Sequence, residues 1–344
     1  MWSIVGHERA VAHLARSLQA GRLSHAYVFV GPEQVGKHTL AINLAQAVNC
    51  TGQDKPCGSC AQCKRIADGK HSDVQTLSLE TVAPNQRSSA QRKEISIEVI
   101  RELQRMGNLQ PFEGQRRVFI IDGAEHLSTD AANCLLKTLE EPPATVLLIL
   151  LAAEDRRLLP TVLSRCQRME LEVLSREVIS DALKAKWGAD AERAQLLARF
   201  SEGRIGWAIQ AARDPAMVER RAEQLEPLLD LPEAGYGDKF AVAAELSTTF
   251  GRDRHAVQDR LALWRGWWRD LMLIKAGKQD SVTNMDRKAL LDEQAAALSQ
   301  SQVLSFLKSL NSAQQNLNKN ANSRLVFEVL MLDLPPVSKG HAVA

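Results

Sequence analysis

AYVFVGPEQVGKHTLAINLAQAV, residues 26–48, carries three readings in one stretch. The apolar run Ala26–Val30 predicts a short buried strand, and Leu40, Leu44 and Val48 fall on one face of a following helix. Between them the chain follows the phosphate-binding pattern G-x-x-x-x-G-K-[ST] up to its last position. Gly31, Gly36 and Lys37 are in register, but His38 stands where a hydroxyl belongs and Thr39 comes one residue late. In a working loop, backbone N–H groups cradle phosphates, the lysine neutralises their charge and the hydroxyl ligates magnesium. Magnesium demands hard oxygen ligands, which an imidazole does not supply. Thr39 is turned by roughly 100° around the helix from residue 38 and is expected to point away from the metal. Phosphate binding therefore stays open, because the cradle is kept, whereas metal-assisted hydrolysis is not expected.

Outward from this stretch the pattern alternates. RRVFIID (116–122), TVLLILLAAE (145–154) and QRMELEV (167–173) read as further strands, separated by helical segments. Such alternation predicts an α/β domain with a mostly parallel sheet and ligands at the carboxyl ends of its strands. Asp122 ends the second of these strands, where a water-mediated magnesium partner is wanted, but Gly123 follows it in place of a water-activating acid. Glu125 lies three residues on and need not face the same water; IIDG alone carries little weight. Val11, Leu14, Ala15 and Leu18 mark a first helix stopped near Gly21, and ISIEVIRELQRM opens another with an acid early. STDAANCLLKTLEEPP predicts a helix capped by Ser128, Thr129 or Asp130 and closed by Pro142 and Pro143. From about residue 175 the strand signal stops and the chain reads as helical, with turns at WGAD, SEGRIG and DLPEAGYGD. Residues 80–94 read as a mobile polar loop and PPVSKGHAVA as a disordered tail.

Composition limits the function classes. The 344 residues exceed one typical domain, and 43 basic against 41 acidic residues leave a net charge of +2. That balance argues against a protein that coats nucleic acid by bulk charge. The amphipathic N-terminus lacks a signal-peptide h-region, and TVLLILLAA is too short to span a bilayer, so a cytoplasmic protein without membrane contact is expected. In that compartment six cysteines are not expected to form a disulfide framework.

Cys50, Cys57, Cys60 and Cys63 give C-x6-C-x2-C-x2-C, with Gly58 relieving the turn. Four thiolates and no open position suit a structural Zn2+ site; redox-active or unpaired thiols are the alternative. His71 is a more distant substitute ligand. Cys134 and Cys166 read as small hydrophobic residues. RSSAQRK (87–93) reads as a solvated loop rather than a nucleic-acid contact. Leu261, Trp264, Trp267, Trp268 and Leu271 recur at helical spacing and favour a buried interface over base stacking.

SHAYVFVGPEQVGKHTLA, the four-cysteine insert, VFIIDGAEHLSTDAANCLLKTLEEPP and LLPTVLSRC together resemble the bacterial clamp-loader AAA+ family, and WWRDLMLIKAG, TNMD and NANSRLVFEVLMLDLP extend the resemblance to the C-terminus. It implies an AAA+ RecA-like domain at 1–172 with its zinc insert at 50–63, a helical lid at 173–212, an all-α collar for oligomerisation at 213–335 and a tail at 336–344. Within such a family the residues depart from the ATP-hydrolysing pattern at His38, at Gly123, at Ala152–Ala153 where a polar sensor is expected, and at Gly206 where a second-sensor arginine is expected, Arg204 being two positions off. Ser164-Arg165-Cys166 matches the family's SRC motif, whose arginine reaches a neighbour's ATP site. The resemblance thus implies a non-motor subunit with a degenerate nucleotide site (Gly31, Gly36, Lys37, Thr39, Asp122). Its implied partners are the γ/τ motor subunits and the δ subunit, with the sliding clamp and primed DNA met through the complex. A motor-type ATPase tolerating His38 and a zinc-containing nucleic-acid-binding module are the competing readings.

Overall fold

The computed structural model describes residues 2–79, 81 and 94–337. RSSAQRK and nearly all of the polar stretch 80–94 lie outside the described residues, as do residues 338–344. The chain divides into two compact units, Met1–Ile209 and Gln210–Ala344.

The first unit is built on a five-stranded parallel sheet of β1 (Ala26–Val30), β2 (Val74–Leu77), β3 (Arg117–Asp122), β4 (Val146–Ala152) and β5 (Gln167–Glu170), in the spatial order β2-β3-β4-β1-β5. Three strands match the expected positions, the fourth is shorter than 167–173, and β2 has no counterpart among the expectations. VQTL is short, with Gln75 and Thr76 polar at its centre, and it lies at the sheet edge with every residue half-buried, so it lacks the apolar run of an inner strand. In β1 and β4 all residues are buried, as expected where both sheet faces are covered. Among the described residues the strands are accompanied by the α-helices α1 (Glu8–Gln19), α2 (Lys37–Asn49), α3 (Ala61–Ala67), α4 (Ile97–Gly107), α5 (Thr129–Glu140), α6 (Pro160–Leu163), α7 (Arg176–Trp187), α8 (Ala191–Phe200) and α9 (Ile205–Arg213), the last running across the unit boundary. One apolar cluster joins Leu14, Leu40 and Leu44 to Tyr27, Phe29 and Ile149; on the opposite side Ile100, Leu103, Leu135 and Leu139 meet Val28, Ile121 and Leu150. The start of α5 is decided among the three expected caps: Ser128 Oγ accepts the Ala131 N–H at 3.1 Å.

The second unit is helical: α10 (Ala216–Leu229), α11 (Tyr236–Arg252), α12 (Arg254–Lys275), α13 (Lys288–Ala297), α14 (Gln300–Asn318) and α15 (Ser323–Leu332). Trp264, Trp267 and Trp268 on α12 are buried in its own core, with Phe306 of α14 at ring-centroid distances of 5.0 Å from Trp264 and 4.4 Å from Trp268. The aromatic repeat expected at an interface is thus the hydrophobic centre of this unit, and truncating one such ring costs about 3–5 kcal/mol. Fully buried Asp270 on the same helix accepts the N–H groups of Thr283 (3.0 Å) and Asn284 (2.8 Å), fixing the turn before α13. The tail expected from residue 336 does not begin there. Val337 is buried and its N–H donates to Pro232 O at 3.1 Å.

Candidate functional site

The glycine loop lies between β1 and α2, at the carboxyl end of the sheet. Gly31 has φ 154° and Gly36 φ 116°, both in the region where a side chain is strained. At Gly31 the reason is also contact, since a Cβ would lie 2.2 Å from Leu171 O, where the chain leaves β5. Both glycines of the G-x-x-x-x-G-K pattern thus hold backbone turns that only glycine takes without strain. The pattern's lysine, however, is turned into the loop itself: Lys37 Nζ donates to Gly31 O at 2.5 Å and to Pro32 O at 2.8 Å. Burial lowers the Lys37 pKa, with Glu125, Asp122 and Glu33 opposing the shift.

The remaining positions of the site divide between exposed residues and ones engaged by the fold. His38 and Thr39 are exposed at the start of α2. Burial raises the Asp122 pKa, with His38 and Lys37 opposing the shift. Glu125 Oε1 accepts the Ala153 N–H at 3.0 Å, just past the end of β4, where a polar sensor is expected. Above the loop, Gly206 N–H donates to Gln34 O at 2.7 Å. A Cβ on residue 206 would lie 2.9 Å from that same oxygen, so the backbone of α9 sits directly on the glycine loop. Arg204 is spent on its own turn, Nε donating to Ser201 O at 3.0 Å.

Arg165 is displayed differently. It follows α6, on the turn into β5, with its side chain 36% exposed. Nη1 donates to Thr161 O (3.0 Å) and Ser164 Oγ (3.2 Å), and Nη2 pairs with Glu140 Oε1 at 2.8 Å. The guanidinium is outside the chain's own glycine loop and open to solvent.

The four cysteines predicted as a set converge. Their sulfurs all lie within 4.8 Å of one another, and Cys50 and Cys60 are 4.0 Å apart. A tetrahedral zinc with bonds of ~2.3 Å spaces its sulfurs by about 3.8 Å, so these donors fit such an ion. Backbone N–H groups aim at the sulfurs: Gly52 and Cys57 at Cys50 Sγ (both 3.3 Å), Cys60 at Cys57 Sγ (3.3 Å) and Cys63 at Cys60 Sγ (3.4 Å). Led by the Cys60 N–H, hydrogen bonds bring the Cys57 pKa down to about 5. Burial pushes Cys60 up, but the Cys63 and Thr51 bonds outweigh it and leave a pKa of about 7; burial holds Cys63 up at about 12. His71 is outside the cluster and accepts the Asp73 N–H on Nδ1 at 3.1 Å.

What sequence reasoning missed is how this insert is tied to the sheet. Asp73, with no exposed surface, accepts the N–H groups of Phe112, Glu113 and Gly114, each at 2.8 Å, and pairs with Arg117 at 3.0 Å. Burial raises its pKa, but these donors and the Arg117 charge outweigh that and hold the carboxyl below the usual range. Asn49, one residue before the first cysteine, clamps the same loop by accepting from Gln115 and Arg116 N–H at 2.8 Å each. Polar residues beside an apolar run were the available signal; their partners lie 40 and 67 residues away in sequence.

Fold and loop together define a P-loop domain of AAA+ type. A family profile described as "DNA polymerase III, delta subunit" matches residues 6–175, and one described as "DNA polymerase III, delta subunit, C terminal" matches residues 241–335. The chain is 29% identical over 327 residues to DNA polymerase III subunit delta' of Bacillus subtilis, covering 95% of each chain. It is 36% identical over 211 residues to DNA polymerase III subunit tau of Escherichia coli, covering 59% of this chain but only 31% of that one. Among solved structures, a gamma subunit-related protein of Thermotoga maritima is similar at 17% identity and a TM-score of 0.40, over 93% of this chain and 97% of that one. The chain belongs to the DNA polymerase III delta-prime group of the clamp-loader AAA+ family. No helix among the described residues is long and apolar enough to cross a membrane.

Proposed function

We propose that the chain works as the δ′ subunit of a clamp loader, helping to load a sliding clamp onto primed DNA in the cytoplasm. In this role it does not hydrolyse ATP itself; it lends Arg165 to the ATP site of a neighbouring γ/τ-type motor subunit. One contrast carries the proposal: Lys37 is folded back on Gly31 O and Pro32 O beneath Gly206, while Arg165 stands half-exposed on a turn. A guanidinium supplied in trans stabilises the charge that spreads over the transferred phosphoryl group. Residues 173–212 act as the lid of the sheet domain, and the helices beyond serve as the collar that joins the chain to its γ/τ and δ partners.

In the same reading, Cys50, Cys57, Cys60 and Cys63 hold a structural Zn2+ ion. When bound, it supplies four-coordinate cross-linking and no reaction chemistry, since no ligand position is left open. The N–H groups aimed at the sulfurs support thiolate charge.

Two measurements test the proposal. ATP turnover by the isolated chain is expected to be undetectable, and a rate near ~1 s⁻¹, within the ordinary enzyme range, contradicts it. Metal analysis is expected to find one zinc per chain, lost in Cys60→Ser; unchanged stoichiometry in that variant removes the zinc site.

A further inference from the structure

We infer that Glu140 is a positioning residue for Arg165, holding its guanidinium parked within this chain until a neighbour's nucleotide displaces the carboxylate. The inference rests on the reading of Arg165 as an arginine finger. Glu140 is the last residue of α5, and Glu141 follows it. Two acids at a helix carboxyl end run against the helix dipole, which favours cations there. The arrangement is compensated from outside the helix: Glu140 Oε1 lies 2.8 Å from Arg165 Nη2. The other terminal nitrogen is also occupied, Nη1 donating to Thr161 O at 3.0 Å and to Ser164 Oγ at 3.2 Å. Ser164 Oγ donates in turn to Thr161 O at 3.0 Å, so the serine of the SRC motif belongs to the same rest.

Both ends of the guanidinium fork are thus engaged inside the subunit, and a phosphoryl oxygen next door must compete with Glu140 for it. The exchange is feasible because the pair is shallow. Glu140 and Arg165 side chains are 51% and 36% exposed, and exposed pairs of this kind are weak. A phosphate oxygen, charged and geometrically matched to the fork, is the stronger acceptor. Glu140 therefore keeps the finger ordered and withheld while the neighbouring site is not closed, and yields it when closure brings the phosphates within reach.

The test uses the reconstituted complex with a motor subunit, carrying Glu140→Gln, Glu140→Asp, Arg165→Ala or the double variant Glu140→Gln/Arg165→Ala. ATPase is measured with and without clamp and primed DNA, and melting curves check that each variant folds. Glu140→Gln is expected to raise the unstimulated rate by about two- to five-fold, the range corresponding to the loss of one exposed ion pair. The stimulated rate should stay near that of the unsubstituted complex. Glu140→Asp should return the unstimulated rate toward that of the unsubstituted complex, and the double variant should behave as Arg165→Ala alone. A purely structural glutamate does not give an effect that disappears with Arg165. If Arg165→Ala lowers the stimulated rate but Glu140→Gln leaves the unstimulated rate unchanged or lower, the parking role is overturned and the finger survives. If Arg165→Ala changes nothing, the finger itself is overturned and the parking role falls with it.

Discussion

The glycine loop follows β1 at the carboxyl end of the sheet, whereas the SRC turn precedes β5 at the amino end, and each carries a cation. Lys37 is buried and both hydrogen bonds of its ammonium close on the loop that carries it. Arg165 is half-exposed, and its strongest partner is a carboxylate that is itself exposed. One cation is built into the architecture; the other is held at the surface in a form that a competing anion can take. On the proposed function, the difference teaches that the sequence signature of a nucleotide site does not locate the chemistry. What locates it is where a charge remains available.

The comparison can be broken at several points. The largest effect is expected from Arg165→Ala in the reconstituted complex, where the partner's stimulated ATPase should fall by ~10²-fold or more, the scale of a finger lost in trans. Next is Asp73→Asn, which leaves three N–H donors and Arg117 facing a neutral amide; thermal or denaturant melts should show a loss of about 3 kcal/mol. The same carboxyl sets a pH dependence. Its folded pKa is depressed, so its contribution is present above the unfolded value of ~3.9 and is lost as pH falls through the folded value. Acid melts of the unsubstituted chain and Asp73→Asn should therefore differ fully above the unfolded value of ~3.9 and converge as pH falls through the depressed folded value. A smaller effect, by design, is expected of His38→Ser. Restoring the magnesium hydroxyl should leave ATP turnover of the isolated chain undetected, because Gly123, Ala153 and the Gly206–Gln34 contact remain. Turnover gained by that single change would show that the loop is only one residue from working.

How far these regions were legible in the sequence follows from how local their physics is. The strand–loop–helix at 26–48, the cap at Ser128 and the convergence of four cysteines are short-range patterns, and they stand in the structure where the spacing put them. The edge strand β2 was not legible, since a short half-buried strand has no apolar run to reveal it. Nor was the Asp73 staple, whose partners depend on a loop some forty residues away. His38 was visible as a missing hydroxyl, but the inward turn of Lys37 and the Gly206 N–H on Gln34 O are tertiary facts with no sequence signal. The tryptophans were correctly expected to be buried; spacing alone could not tell a unit's own core from an interface.

The most direct test pairs the two cations in one preparation: clamp- and DNA-stimulated ATPase of the reconstituted complex carrying either Lys37→Ala or Arg165→Ala in this subunit. The predicted result is that Lys37→Ala keeps the rate within about two-fold, less than ~0.5 kcal/mol in barrier, while Arg165→Ala loses nearly all of it. A complex that survives Arg165→Ala but is disabled by Lys37→Ala would contradict the account, because the working charge would then lie in the glycine loop.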